Sequence, residues 1–313
     1  EKTMKKVLFA TTALVATAGV AAAELSLGGS ARFGVTYNDT LTNELQIHNR
    51  FTLNIDGSAS TDTGLDFFAR VRVRGGNTGT AGLGASGVSA PRVGVSVAGF
   101  TVATGNILGA IESAPGLYSG SVGLTGLGWG NLVANVGAGS TVPGNTFRWD
   151  AFSSAGAGRN GVEVIYSNAG FGVHVSWSGV GGDDRIAANL SYTFGDWTAA
   201  AAYQDSDTDA DDKWFATIGG NLGDFGVGAA YGDNDGVSKW QVNGSYTFGA
   251  GTTVTAYVAD ESGTNSAGSN VAATDTSWGL GFTHSLGGAT LAGGVAGTNT
   301  GATLADLGVR FSF

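Results

Sequence analysis

The chain has 313 residues, a formal net charge of −10, 55 glycines, three prolines and no cysteine. The lack of cysteine excludes a disulfide framework and a thiolate metal site, and the excess of acidic residues argues against nucleic acid as a partner. The glycines follow no collagen-like period, and no stretch after residue 23 has about 18 consecutive apolar residues, which excludes a helical membrane protein.

Residues 1–23 are predicted to be a signal peptide that is cleaved. Met4-Lys5-Lys6 is a short basic segment, Val7 to Val20 is uncharged, and Ala21-Ala22-Ala23 is a small-residue cleavage site that would leave Glu24 as the first mature residue. A helix over the uncharged stretch would be about 21 Å long, too short for a hydrocarbon core of about 30 Å. Without this segment the formal net charge becomes −12.

The segments that follow alternate apolar and polar residues with the period of a β-strand. In the third segment, Phe67 and Val71 fall on one face and Arg70 and Arg72 on the other. A soluble β-sandwich would turn the polar face outwards to water, whereas a membrane barrel would turn it inwards. An arginine on the lipid face costs about 2–4 kcal/mol at the bilayer midplane, so a barrel requires the arginines to face the lumen.

Sixteen segments are predicted to be strands, an even number, as a single-chain barrel with both termini on one side requires. They lie near 25–37, 46–58, 64–76, 88–98, 99–105, 160–168, 171–179, 185–195, 197–206, 213–223, 225–232, 238–248, 252–261, 276–285, 288–297 and 303–313. Short turns alternate with longer polar connections, which is typical of periplasmic turns and external loops.

One connection, residues 106–158, is far longer than the others, and we call it the long loop. It is rich in apolar residues such as Ile107, Ile111, Leu117 and Trp129, which would not remain in solvent. A loop of this length in a compact fold usually has a function, and the lumen is the place where it can bury its apolar side chains. The sequence therefore predicts a constriction loop. A further hairpin near 121–138, which would give 18 strands, remains the alternative.

A later connection is strongly acidic. Asp205, Asp207 and Asp209 are close enough in sequence to hold Ca²⁺ or to bridge lipopolysaccharide through divalent cations. A hydrated loop is the favoured interpretation of the same composition. The three histidines lie on separate predicted strands without metal-ligand or nucleophile spacing, so we expect no enzymatic activity.

The last strand, Leu307 to Phe313, alternates strictly and ends on an aromatic residue. A barrel wetted by lipid places aromatic residues at the membrane interface, and we interpret Phe313 as a C-terminal assembly signal. The repeated motifs Ser191 to Gly195 and Ser245 to Gly249 are 54 residues apart. Four strands with their connections fit this spacing, so both motifs are predicted to lie at the same rim as Phe313. The export signal and this ending together favour the barrel over the sandwich.

Four segments carry a resemblance to a known family. Glu24 to Tyr37, Thr63 to Phe67, Gly105-Asn106 and Ala305 to Phe313 resemble the general diffusion porins of photosynthetic alphaproteobacteria, the Rhodobacter type. The resemblance covers residues 24–313. It implies a 16-stranded outer-membrane barrel, a homotrimer whose third external loop folds inwards, and a setting in lipid and lipopolysaccharide.

Selectivity in such a channel is set by pore width and by fixed charge in the narrow zone. Five arginines are predicted to line the pore wall: Arg32, Arg50, Arg70, Arg72 and Arg74. In the resembling family, wall bases face carboxylates on the inward loop, and Glu112 stands where it could take that role. This long loop departs from the family pattern because its only other acid is Asp150, which Arg148 partly offsets. We therefore expect weak anion preference.

The predicted function is a water-filled channel for passive diffusion of small hydrophilic solutes and ions, with no cofactor. One alternative is a substrate-specific channel, which would need a dedicated ligand pocket or a ladder of aromatic side chains in the lumen. Another is a barrel or an adhesin sandwich that forms no channel. Single-channel conductance separates the protein that forms no channel from the general channel and the substrate-specific channel.

Overall fold

The computed structural model describes residues 23–76, 84–127, 149–156, 158–179, 184–207, 212–264, 270–272 and 276–313. Apart from Ala23, the predicted signal peptide lies outside these residues. No helix in this part of the chain is long and apolar enough to cross a membrane.

The described residues form eighteen strand segments and one short 3₁₀ helix, Gly249–Gly251. The segments are β1 (Ala23–Asn38), β2 (Leu45–Ser60), β3 (Asp66–Gly76), β4 (Gly84–Val88), β5 (Arg92–Val97), β6 (Phe100–Asn106), β7 (Asn160–Asn168), β8 (Phe171–Ser178), β9 (Arg185–Phe194), β10 (Trp197–Ser206), β11 (Lys213–Leu222), β12 (Phe225–Asn234), β13 (Val237–Phe248), β14 (Thr252–Thr264), β15 (Asn270–Ala272), β16 (Ser277–Ser285), β17 (Ala289–Gly297) and β18 (Thr303–Ser312).

These segments make a closed antiparallel barrel of sixteen strands. β4 and β5 both pair with β3, and β15 and β16 both pair with β14, so each couple acts as one interrupted strand. The barrel closes where β1 pairs with β18, from Ser30 opposite Ser312 to Asn38 opposite Leu304. Closure leaves no unpaired sheet edge, which a strand-built protein in lipid requires. The prediction of sixteen strands is confirmed.

Large apolar side chains point outwards. Phe33 is 57% exposed, Leu190 54% and Leu222 58%, whereas the polar Gln204 and Gln241 are fully buried inside. This is the reverse of a soluble core, where the apolar residues would be buried. The prediction that the arginine faces point inwards follows the same alternation.

Aromatic residues concentrate at the rim that carries the short turns. Phe171 packs on Tyr192 with ring centroids 4.4 Å apart, and Phe225 packs on Tyr246 at 4.6 Å. Tyr192 belongs to β9 and Tyr246 to β13, four strands apart, as the 54-residue repeat predicted. The C-terminal pair of aromatic residues ends on the same rim, because β18 runs in the same direction as those two strands.

The connection between β6 and β7 spans 107–159, within one residue of the predicted long loop. Its described residues 107–127, 149–156 and 158–159 contain no strand segment, only isolated bridges such as Val122 with Leu127. The hairpin that would have given 18 strands is absent from 121–127, and its remainder lies outside the described residues. The long loop as observed therefore comprises residues 107–159.

Candidate functional site: the lumen at the long loop

Six arginine side chains face the lumen on four neighbouring strands, and we call them the arginine stripe. They are Arg310 on β18, Arg32 on β1, Arg50 on β2, and Arg70, Arg72 and Arg74 on β3. The stripe is continuous because barrel closure brings the last strand beside the first. All five arginines predicted from the sequence therefore lie together.

On β3 the stripe is held by polar partners from β2. Arg70 Nε donates to Asp56 Oδ1 at 2.5 Å, in a pair that stays partly exposed. Arg72 Nε donates to Asn54 Oδ1 at 2.8 Å, and Arg74 Nε donates to Thr52 Oγ1 at 3.1 Å. Of these three guanidinium groups only that of Arg70 pairs with a carboxylate, so this part of the wall keeps a net positive charge.

The other half of the stripe has fewer partners. Arg32 Nε donates to His48 Nε2 at 2.8 Å, and its Nη1 donates to the carbonyl oxygen of Leu124 at 3.2 Å. Within the described residues, neither Arg50 nor Arg310 makes a hydrogen bond or an ion pair. These two guanidinium groups are available to solutes.

The long loop is fastened at its base by a buried carboxylate. Glu163 on β7 is fully buried, and its Oε1 accepts from Arg92 Nε at 2.6 Å. Its Oε2 accepts from the backbone N–H groups of Leu108 and Gly109 at 2.9 and 3.2 Å, and lies 2.9 Å from His174 Nε2. Charge-assisted bonds of this kind are stronger than neutral ones, so the first turn of the loop is fixed to the wall.

From this base the loop follows the inner wall in strand order. Ala110 N donates to Ser176 Oγ on β8 at 3.0 Å. Farther along, the Pro115 carbonyl accepts from Thr217 Oγ1 on β11 at 2.7 Å. Its apolar side chains pack on small residues of the wall. The packed cluster contains Ala110, Ile111, Ala114, Leu117, Trp149, Ala187, Ala202, Phe215 and Ala230. The prediction that the apolar loop buries itself in the lumen is thus met by the structure.

The tip of the loop is fastened on the far side of the barrel. Asp306 on β18 accepts from the backbone N–H of Leu124 at 2.8 Å and from that of Thr125 at 2.7 Å, and also from Thr125 Oγ1 at 2.6 Å. Residues 107–127 of the loop therefore run along the wall from β7 to β18. The returning residues 149–156 lie against β4 and β5, where the Gly156 backbone bonds Val88 and Ala90, and Ser154 Oγ accepts from Arg72 Nη1 at 3.1 Å. Arg50, Arg70, Arg74 and Arg310 make no hydrogen bond to the described part of the loop.

Glycine allows the loop backbone to lie flat against the wall. A Cβ placed on Gly308 of β18 would come within 2.6 Å of Leu124 Cδ2. On the loop, Gly123 has φ +82°, and a Cβ there would meet Asp306 Oδ1 at 2.2 Å. Gly123 requires glycine for both its left-handed backbone and its close approach, and Gly308 requires it for the close approach alone, so these positions explain part of the high glycine content.

Glu112 lies on the loop but does not contact the stripe in the described residues. Its Oε2 accepts from Tyr118 Oη at 2.5 Å and from Trp149 Nε1 at 2.8 Å. Burial and the adjacent carboxylate raise the pKa of the Tyr118 phenol, which therefore stays protonated as a donor. The other loop acid, Asp150, lies 3.4 Å from Arg185 Nη1 and 3.9 Å from Arg159 Nε. Both acids are thus engaged by loop and wall groups.

Of the predicted Ca²⁺ ligands, Asp205 ends up near the rim of β10, where Tyr203 Oη donates to it at 3.3 Å. Asp207 donates its backbone N–H to the carbonyl of Asp184 at 3.1 Å. Asp209 lies outside the described residues. No group of three potential metal ligands occurs in the part of the chain that the structure describes.

The C-terminal residue seals the barrel seam. The backbone N–H and carbonyl of Phe313 pair with Gly29 at 3.1 and 2.8 Å. Its ring is 56% exposed and stacks on Phe51 at 5.8 Å between centroids. The ring therefore lies on the lipid face at the short-turn rim, where an assembly signal would be accessible.

Three important residues were missed by the sequence reasoning. Arg310 falls on the inward face of the last strand. In a closed barrel the last strand pairs with the first, which would have placed Arg310 beside Arg32. Glu163 and Asp306 are inward acids on strands of otherwise small polar residues. That pattern was a usable signal for loop anchors, although the partners on the loop were not readable from spacing.

Comparison with known proteins agrees with this architecture. The sequence profile described as Gram-negative porin matches residues 10–303. A porin of Fuscovulum blasticum is 32% identical over 310 residues, a match that covers 93% of this chain and all of that protein. Two solved mutants of Rhodopseudomonas blastica porin are 26% identical and have TM-scores of 0.78 and 0.77, each over 93% of this chain and all of theirs. This chain belongs to the Gram-negative porin family and forms an outer-membrane channel for passive diffusion.

Proposed function

We propose that solutes cross the barrel between the arginine stripe and the long loop, with a weak preference for anions. The observation that carries this proposal is the asymmetry of charge around the lumen. Six guanidinium groups line β18 and β1 to β3, and the acids of the long loop, Glu112 and Asp150, are already engaged. Charge close to the pathway sets ion selectivity, so the formal net charge of the whole chain matters less.

The preference is weak because the stripe is partly neutralised and partly hydrated. Asp56 offsets one of its charges, and Arg70 and Asp56 remain 39% and 30% exposed. Exposed charges are screened by salt over about 10 Å at 0.1 M ionic strength. The channel is thus expected to pass neutral solutes and both signs of ion.

The test is a reversal potential measured across a planar bilayer in a KCl gradient. We expect the sign that indicates chloride permeating faster than potassium. Arg72→Gln should move the potential towards cations, because it removes a charge that faces the lumen.

Thr63→Glu is the matched control, since it changes the net charge by the same amount in the exposed β2–β3 turn. It should move the reversal potential far less than Arg72→Gln does. Clear cation preference of the unchanged protein, or equal shifts in the two variants, would contradict the proposed role of the stripe. Swelling of liposomes in unrelated sugars, with rates set by size alone, would separate a general channel from a substrate-specific one.

We also propose that the chain is exported to the periplasm with its signal peptide removed, and that it assembles as a homotrimer in contact with lipid and lipopolysaccharide. The family supports the trimer, and the basic, apolar and small-residue order of the N-terminus supports export. No enzymatic activity is expected. Intact mass of the protein from outer membranes should correspond to a start at Glu24, and light scattering in detergent should give three copies.

A further inference from the structure

A cavity of about 370 Å³ lies on the inner wall where β18, β1 and β2 meet the turn between β16 and β17. The polar side chains that line it are Ser30, Arg32, Arg50, Thr290, Arg310 and Ser312. The turn contributes Gly287 and Gly288, which bring backbone rather than side chains to the cavity. Three guanidinium groups and three hydroxyl groups therefore converge on one space.

Strand register places the three arginines directly side by side. Arg310 on β18 is opposite Arg32 on β1, and Arg32 is opposite Arg50 on β2. Directly opposed residues on one face of a sheet have Cβ atoms about 4.5–5.5 Å apart, and like charges at this distance destabilise the sheet. An anion that lay between three such charges would relieve this repulsion.

No carboxylate in the described residues forms an ion pair with these three guanidinium groups. Arg50 and Arg310 make no hydrogen bond or ion pair there, and Arg32 contacts neutral acceptors on His48 and Leu124. Asp306 is the acid next along β18 from this row, but its two oxygens accept three hydrogen bonds from the loop tip. The guanidinium groups that line the cavity thus keep donors without a partner in the described residues.

We propose that this arginine triad, Arg310, Arg32 and Arg50, binds the phosphate group of a small polar phosphate monoester during its passage. A doubly charged tetrahedral oxyanion matches three planar donors that can each bond two oxygens. The hydroxyl groups of Ser30, Thr290 and Ser312 can bond the remaining oxygens and the polar body of the solute. The volume is at the lower end of the range of about 300–1,000 Å³ for small-molecule sites, larger than a bare oxyanion needs.

This inference rests on the proposed function in one respect, namely that solutes reach the stripe from the lumen. The triad lies towards the short-turn rim, beyond the point where the loop tip meets Asp306. A bound phosphate would therefore be held on that side of the narrow zone. Its site would concentrate phosphorylated solutes at the pore without energy input.

The test is isothermal titration calorimetry of the purified protein in detergent, with inorganic phosphate, glucose 6-phosphate and glucose as probes. We expect saturable binding of the two phosphates and none of glucose. Arg310→Gln and Arg50→Gln should each weaken phosphate binding by about tenfold or more, since each removes a charge-assisted donor. Arg310→Lys keeps the charge without the planar fork and should give an intermediate affinity.

Thr63→Glu is the matched control for this measurement, because it changes the net charge by the same amount in the exposed β2–β3 turn, away from the cavity. It should change phosphate affinity by less than about twofold, since its charge acts only through screened distance. Absence of saturable phosphate binding, or equal weakening in Thr63→Glu and Arg310→Gln, would overturn the triad.

The two proposals fail separately. Calorimetry does not depend on conductance, so a channel that prefers anions but binds no phosphate would remove the triad and leave the proposed function standing. A protein that binds phosphate through the triad yet shows cation preference in bilayers would keep the site and refute the proposed selectivity.

Discussion

Two regions of the same wall use opposite chemistry. The inner faces of β9 to β12 carry small and apolar residues such as Ala187 and Phe215, together with buried polar ones such as Gln204, and the long loop packs on them. Strands β1 to β3, with the adjoining end of β18, carry the arginine stripe, whose side chains stay partly exposed to the lumen. One half of the barrel therefore behaves as a core that holds the loop, and the other half remains a hydrated, charged surface. The pathway lies along the hydrated half.

This division shows that the same inward alternation can serve two purposes. Buried acids such as Glu163 and Asp306 fasten the loop, because a carboxylate inside a packed interface attracts backbone N–H groups strongly. Arginines on the open wall act on solutes instead, because water and salt reach them.

The largest effect is expected from removing the anchor at the loop base. Glu163→Ala should lower the free energy of unfolding by about 3–5 kcal/mol, because it leaves the buried guanidinium of Arg92 without its partner. Thermal unfolding in detergent measures this change. Asp62→Ala, in the exposed β2–β3 turn, is the control and should have almost no effect. Equal stability of the two variants would show that the loop base is not held by this ion pair.

A smaller effect on stability, but a clear one on conductance, is expected at the loop tip. Asp306→Ala removes three hydrogen bonds to the loop, each worth about 1.5–3 kcal/mol when the acceptor is charged, although they are not additive. The freed tip should move in the pore, and the single-channel current should fluctuate between levels.

Asp56→Ala is the control on the open wall, where the carboxylate touches Arg70 and no loop residue. It should leave the current steady and shift the reversal potential further towards anions. A steady current in the tip variant, or a fluctuating one in the control, would contradict the separation of the two regions.

Close packing between loop and wall predicts a moderate effect at a single glycine. Gly123→Ala should destabilise the protein by about 1–3 kcal/mol and increase channel noise, because the new Cβ combines left-handed strain with a clash against Asp306. Gly64→Ala has the same φ of +82° with nothing within 4 Å of its Cβ, so it isolates the backbone strain. Thermal unfolding of both variants should show a larger loss for the loop glycine. If the losses match, the close approach contributes nothing.

The smallest effect requires no mutation. Raising the salt concentration from 0.1 to 1 M shortens the screening length from about 10 to about 3 Å, so the anion preference of the open wall should decline. The buried anchors of the loop exclude salt, and the unfolding temperature should change little. Reversal potentials and thermal unfolding over the same salt series measure the two responses. A selectivity that does not respond to salt would mean that pore width, rather than the stripe, decides which ions pass.

The strands could be predicted almost completely because each one carries its own alternation. Fifteen of the sixteen predicted strands match one observed strand segment within a few residues at either end, and the segment near 88–98 contains β5 but only the last residue of β4. The short segment β15 was not predicted. The strand is interrupted around Pro91, between β4 and β5. Strand propensity alone does not identify the residue at which such an interruption falls. The predicted roles of Glu112, of Phe313 and of the acidic connection with Asp205 stay predictions.

By itself the sequence determined the class of fold, the number of strands, the inward direction of five arginines and the existence of one long apolar loop. These follow from the two-residue alternation, the segment lengths and the composition, all of which depend on residues that are close together in the sequence. The tertiary structure decided the rest, because closing the barrel joins residues almost 300 positions apart. Only closure places Arg310 beside Arg32 and brings Asp306 under the loop tip.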